Sequence, residues 1–203
     1  MPAIQIPKEK WSGTIRQITL GATAAEGGTR AKTVTVGGET TLPYLHFEGE
    51  FPHPPVIAIE IQDRHPADWS PVLLDAWGDA TADPAAWAKA AEAKGADIIL
   101  LKFSLHNDLN GDYARQTTRK VLNATGLPLI VFGPGQAELD NDLLVAVAEE
   151  GKGENMVLGV CEDKNYRTIV AAALAHGHLV DARCPMDVNL SKQLNILISD
   201  MGL

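Results

Sequence analysis

From Val56 onward the chain alternates short apolar runs with helix-like segments, and that alternation constrains the fold more than any other feature. The runs read VIAIEI, DIILLKFS, PLIVFG, MVLGVCE and HLVDARC. The helical segments are DPAAWAKAAEAKG, DYARQTTRKVLNATG, DNDLLVAVAEEGKG, NYRTIVAAALAHG and DVNLSKQLNILISDMG. Several close on glycine, the usual C-cap signal, and Asp83-Pro84 supplies an N-cap followed by an N1 proline. Strands that alternate with helices predict βα units and a parallel sheet. Five such units can be counted, whereas a closed (β/α)8 barrel takes about 250 residues. The chain is therefore either an open doubly wound sheet or a barrel without its last strands. Alternation along the strands decides between them. Ile57, Ile59 and Ile61 share one face, Ala58, Glu60 and Gln62 the other; Leu101 and Phe103 oppose Lys102 and Ser104. A doubly wound sheet is covered by helices on both faces and is apolar on both. One apolar face and one that turns charged toward the strand ends predicts an α/β fold of the TIM-barrel type, incomplete in this chain.

The first 52 residues read differently. TIRQITLG and AKTVTVGG are β-branched runs around a loop holding Gly27 and Gly28, which predicts a β hairpin. LPYLHFEGEFPHPP follows, rich in turn residues. No linker composition interrupts the chain, so residues 1–203 read as one domain: an N-terminal hairpin and loop extension over 1–52, and the first βα units of a barrel over 53–203.

The net charge of −9, with no Lys/Arg run, argues against nucleic acid or an anionic membrane as partner. TIVAAALA, among the longest apolar runs, is too short to span a bilayer. MPAIQIPKEKW lacks the basic-then-apolar pattern of a signal peptide, so the expected location is cytoplasmic. Two cysteines, Cys161 and Cys184, form no metal-spaced set and cannot supply the four thiolates of most iron–sulfur clusters. A cluster, if involved, belongs to another chain.

The strand ends hold the candidate chemistry, because a barrel places function at the C-terminal ends of its strands. They carry Gln62 and Asp63, Ser104, Gly133 and Gly135, Glu162, Asp163 and Asn165, and Asp187 and Asn189. No Ser/His/Asp triad, phosphate loop or metal set is evident, so this mouth suits binding a large polar ligand or a protein. Glu60 and Lys102 are expected at matching heights on adjacent strands, as a buried ion pair; Asp181 and Arg183 form a second opposite-charge set. A Schiff-base lysine at Lys102 is the functional rival. FGPGQ brings two glycines to a βα loop, as a tight turn or a ligand-facing loop. DRHPAD resembles a cobalt-binding D-x-H-x-x-G motif, but Asp68 replaces its glycine, so His65 reads as a surface histidine. His176 and His178, on the opposite edge, and the tryptophans Trp11, Trp69, Trp77 and Trp87 read as structural. Asp187 reads as the N-cap of the last helix, and Asn189 as the better ligand-facing candidate.

Several stretches resemble a known family. ITLGATAAEGGTRAKTVTVGGETTLPYLHFEGEFPHPPVIAIEI, GADIILLKFS, NYRTIVAAALAHGH and PMDVNLSKQLNILISDMGL are similar to the small (delta) subunit of the corrinoid iron–sulfur protein of the acetyl-CoA pathway of anaerobes. The resemblance covers nearly the whole chain, and GGTR, GGE-T-LP and DVNL-KQLN are its specific parts. Members of that family run on past the DMGL segment, so the last barrel strands are expected beyond it. The resemblance implies a (β/α)8 barrel in a heterodimer with a large subunit that carries a [4Fe–4S] cluster and most of the cobalamin site. Cobalamin then lies against the barrel mouth. A methyl group passes from methyltetrahydrofolate, through a separate methyltransferase, to cobalt, and then to acetyl-CoA synthase/CO dehydrogenase. The expected corrin contacts, assigned from strand-end position alone, are Gln62, Ser104, Gly135, Asn165, Asp187 and Asn189. The alternatives are a pterin-dependent methyltransferase acting directly on methyltetrahydrofolate, with Asn189 on the pterin, and an aldolase using Lys102.

Overall fold

The structure is a computed structural model that describes residues 12–41 and 48–203. Trp11 and the LPYLHF part of the turn-rich segment lie outside the described residues. Backbone contacts divide the chain into two compact units: residues up to Thr19 with Thr35–Val56, and Leu20–Val34 with Ile57–Leu203.

The expected N-terminal strands are present and short. Strand β1 (Ile18–Leu20) pairs with β2 (Val34–Val36) in a two-stranded sheet. The Thr19 and Thr35 hydroxyls lie 2.9 Å apart across the pair. Further along, the Ile15 N–H donates to the Glu39 carbonyl and the Gly38 N–H to that of Ile15.

In the larger unit five strands form one parallel sheet in chain order. They are β3 (Ala58–Gln62), β4 (Ile98–Lys102), β5 (Leu129–Phe132), β6 (Val157–Cys161) and β7 (Leu179–Ala182). The order shows none of the reversal that marks a doubly wound sheet. Six helices accompany them: α1 (Pro71–Trp77), α2 (Pro84–Ala93), α3 (Gly111–Ala124), α4 (Ala137–Glu150), α5 (Tyr166–His176) and α6 (Val188–Asp200). Helix α1 was not expected from the sequence; it is only seven residues long and too short to show a periodic pattern. Parallel crossovers are right-handed, so strands in chain order send their helices to one side. There α2 packs on α3, α3 on α4 and α4 on α5.

That side holds the core. Ile61, Ile99, Leu101, Leu129, Val131 and Leu158 are fully buried against Trp87, Leu143, Leu144 and Ile169. Trp69 and Trp77 meet Trp87 edge-on at 5.3 and 5.9 Å, so these three tryptophans are packing residues, as expected.

On the other face the register sets the rows. Glu60 is level with Leu100, and Gln62 with Lys102 and Phe132, then Gly159 and Asp181. The expected Glu60–Lys102 ion pair does not form. Lys102 stands one row above Glu60 rather than beside it, because register, which sequence spacing does not reveal, is offset by two residues. Asp181 and Arg183 do pair, at 2.7 Å.

The segment Leu20–Val34 seals the opposite, N-terminal edge of the sheet. Arg30 is buried there and its Nε donates to Glu154 at 2.8 Å. Its remaining guanidinium N–H groups donate to the carbonyls of Leu122, Thr125 and Leu127 and to the Thr29 hydroxyl. The Ala31 N–H donates to the Gly126 carbonyl, and the Gly21 N–H to that of Asn155. Every partner on the sheet side is at a helix end or in a helix-to-strand turn. Burial raises the Glu154 pKa. The Thr29 hydroxyl and amide and the Arg30 charge outweigh it and hold the carboxyl below its ordinary value. Removing one partner of a buried ion pair costs about 3–5 kcal/mol. Arg30→Ala is therefore expected to lower the unfolding free energy by about that amount in urea titration. A carboxyl depressed in the folded state stabilises above its unfolded pKa and loses that contribution as pH falls. Glu154→Gln is accordingly expected to flatten the loss of stability below about pH 4.

Candidate functional site

The C-terminal strand ends carry the loops over residues 63–70, 103–110, 133–136, 162–165 and 183–187. The first two are tied together through Asp63, whose side chain is completely buried. One oxygen accepts from the Ser104 N–H at 2.7 Å, the other lies 3.1 Å from His106 Nε2. The Tyr113 hydroxyl, on α3, donates to the Asp63 carbonyl at 3.3 Å. The rings of His106 and Tyr113 meet edge-on at 4.9 Å. The Tyr113 pKa is raised, first by burial and then by the Asp63 charge. Beside this network the Ser104 hydroxyl donates to Gln62 Oε1 at 3.2 Å, which ties these two strand-end residues together. His106 and Tyr113 had not been singled out in the sequence; no local spacing links them to Asp63.

The β5 loop is shaped by a buried acid. The Gly135 N–H donates to Asp140 Oδ1 at 3.2 Å, with Gly135 at φ 88°. A Cβ on Gly133 would collide with the same carboxyl. Burial raises the Asp140 pKa above its ordinary value. FGPGQ is thus a turn wrapped on Asp140, with Gly135 itself exposed. After β6, Asn165 is buried and fully engaged: its Oδ1 accepts from the Glu162 N–H at 2.7 Å and its Nδ2 donates to the Val160 carbonyl at 3.0 Å. It braces the loop rather than facing outward. After β7, Asp187 caps α6, its Oδ1 accepting from the Asn189 and Leu190 N–H groups at 2.9 and 3.0 Å. The Asn189 side chain is exposed, as is Met186, the residue before the cap, which takes a φ of 74°. Leu105, Met186 and Val188 leave apolar surface exposed among these polar groups.

Other motifs take structural places. His65 is exposed, with Nδ1 2.8 Å from the Thr81 hydroxyl. His178 is buried between the Met156 N–H and the Ala148 carbonyl, and burial lowers its pKa. Burial pushes the Cys161 thiol up to about 12, which leaves no reactive thiolate there. Among the described residues no group of three or more His, Cys, Asp or Glu is placed to hold a metal ion. No helix among them is long and apolar enough to cross a membrane.

A parallel sheet with hydrogen-bonding groups at the C-terminal ends of its strands defines an α/β protein, a class in which the strand ends are the usual place for a site. The comparisons narrow this class. Residues 17–203 match the family described as the CO dehydrogenase/acetyl-CoA synthase delta subunit, and the chain belongs to that family. It is 38% identical over 194 residues to the acetyl-CoA decarbonylase/synthase complex subunit delta of Archaeoglobus fulgidus, covering 93% of this chain and 43% of that protein. Its likeness to the same subunit of Methanopyrus kandleri is 34% over 198 residues, 94% of this chain and 49% of the other. For Methanocaldococcus jannaschii the figures are 31% over 203 residues, 97% and 49%. The chain spans about half the length of these relatives or less.

Asp187 and Asn189 separate by stability. Loss of a side-chain N-cap costs about 0.5–2 kcal/mol, whereas an exposed substitution stays within about 0.5 kcal/mol. Thermal or urea unfolding of Asp187→Ala is expected to show the first effect, and of Asn189→Ala only the second.

Proposed function

We propose that this chain is a methyl-carrier component of an acetyl-CoA decarbonylase/synthase complex, binding a corrinoid at its strand ends together with a larger corrinoid iron–sulfur subunit. The observation that carries this reading is the match of residues 17–203 to the delta-subunit family. In this reading the sheet is the first part of a (β/α)8 barrel. Strands in chain order and helices packed in sequence support that, as does α6, which buries Leu194 and Ile198 and leaves Val188, Ile196 and Leu197 exposed.

The residues present fit a corrinoid. Gln62, Ser104 and Asn189 offer amide and hydroxyl groups to its amide-bearing periphery, and Leu105, Met186 and Val188 offer apolar contact to its ring. Gly135 contributes an exposed loop backbone, while Asn165 and Asp187 hold the loops in shape. When bound, the corrinoid supplies the cobalt that carries the methyl group; this chain's groups orient it and exclude water from one side. The chain does not fit an iron–sulfur cluster, having two cysteines, one of them buried with its pKa near 12. The cluster therefore falls to the partner. The methyl source is methyltetrahydrofolate through a separate methyltransferase, the acceptor is acetyl-CoA synthase/CO dehydrogenase, and the compartment is the cytoplasm.

Co-expression with a corrinoid iron–sulfur large subunit tests this. A stable heterodimer with an altered corrin absorbance is the expected result. A chain that stays monomeric beside that subunit, with the corrin spectrum unchanged, overturns it. Tight binding of methyltetrahydrofolate by this chain alone would favour a pterin-dependent methyltransferase instead.

A further inference from the structure

We infer that His178 is a pH-sensitive latch at the N-terminal edge of the sheet: as a neutral ring it holds the entry to β6 in place, and when it takes up a proton it loosens the hold on the Leu20–Val34 segment. The ring belongs to a residue only 4% exposed, and both its nitrogens are engaged. The Met156 N–H donates to Nδ1 at 3.2 Å, and Nε2 lies 2.9 Å from the Ala148 carbonyl oxygen. A backbone N–H only donates and a carbonyl only accepts, so Nδ1 is bare and Nε2 carries the hydrogen. Of the two neutral tautomers and the imidazolium, only the neutral Nε2–H form fits this seat. A proton on Nδ1 would set two N–H donors against each other in a buried place, each without its acceptor.

The ring reaches the segment through three consecutive residues that lead into β6. Met156 receives the ring on its N–H and accepts from the Leu179 N–H at 2.8 Å. Asn155 exchanges two hydrogen bonds with Gly21: the Gly21 N–H donates to its carbonyl at 2.9 Å, and its Nδ2 donates to the Gly21 carbonyl at 3.2 Å. Glu154 accepts from Thr29 and Arg30. Asn155 holds a φ of 47°, a conformation that few side chains favour, so the turn depends on these contacts to keep its shape. Displacing the Met156 amide therefore disturbs the two residues that hold Leu20–Val34. The charges around the ring do not welcome a proton. His176 ends α5 two residues earlier, and both oxygens of Glu154 are already taken by Thr29 and Arg30. On α4, Glu149 and Glu150 pair with Arg115 and Arg119. Burial lowers the ring pKa; the Ala148 carbonyl opposes this, His176 adds to it, Glu154 opposes it, and the net direction is down. A group depressed in this way contributes stability above its unfolded pKa of about 6.5 and loses it as pH falls toward the folded value. Glu154, also held below its ordinary value, gives up its charge only at lower pH, so the two losses are separate. The inference is independent of the corrinoid reading.

NMR of the ring nitrogens and amide hydrogen exchange of the chain across pH 4.5–8 test it. At the upper end the His178 ring is expected as the neutral Nε2–H tautomer, with its titration midpoint below that of a free histidine. Exchange protection of the Met156 and Gly21 amides, corrected for intrinsic rates, is expected to fall together, by up to about tenfold per pH unit between about pH 6.5 and that midpoint. In His178→Gln, which has no titrating ring, Gly21 protection is expected to stay level over the same range. An Nδ1–H tautomer or an imidazolium at the upper end would overturn the inference. So would Gly21 protection that is flat in the unmodified chain, or that varies equally in His178→Gln. The measurements on the unmodified chain decide the matter even where the variant does not fold.

Discussion

A parallel strand returns to its neighbour only through a crossover, and the crossover is right-handed. Five strands in chain order therefore send every helix to the same side and every βα loop to the same edge. The remaining architecture follows from this. The apolar alternate residues, Ile61, Ile99, Leu101, Leu129 and Val131, go to the helix side and form the core. The other alternates, Gln62, Lys102, Phe132, Gly159 and Asp181, line up as a row on the face without helices.

The two edges of the sheet are built differently. At the N-terminal edge a buried guanidinium ties the Leu20–Val34 segment to three carbonyls and a carboxylate, which satisfies groups that helix C-termini leave open. At the C-terminal edge buried carboxylates and amides brace the loops from within. Asp63 joins the β3 and β4 loops, Asp140 supports Gly133 and Gly135, and Asn165 spans its own turn. What this edge leaves outward includes Asn189, Leu105 and Met186, the exposed groups that the proposed function assigns to ligand contact. Of the six strand-end residues assigned to ligand contact, two are thus engaged in local structure, Asn165 as a brace and Asp187 as a cap.

How much of this was legible in the sequence depends on the range of the interaction. The strands and the helices α2 to α6 were readable because apolar alternation, glycine C-caps and Asp-Pro starts act within a few residues. The Asp187 cap was readable for the same reason, its acceptors lying two and three residues on. Helix α1 was not, being only seven residues long. The Glu60–Lys102 pair was misjudged because strand register depends on how neighbouring crossovers pack, and a shift of two residues keeps the face while moving the row.

The sequence by itself determined the βα order, the sign and scarcity of charge, and the division of each strand into an apolar and a polar face. It also carried the family likeness, spread along the chain. Only the tertiary structure decided which polar groups meet. Arg30 and Glu154 are 124 residues apart in the chain, and Asp63 and His106 are 43 apart. Local propensity carries no information about partners at that distance. They are chosen by burial, which makes an unpaired charge or carbonyl costly and so favours the arrangement that brings these groups together.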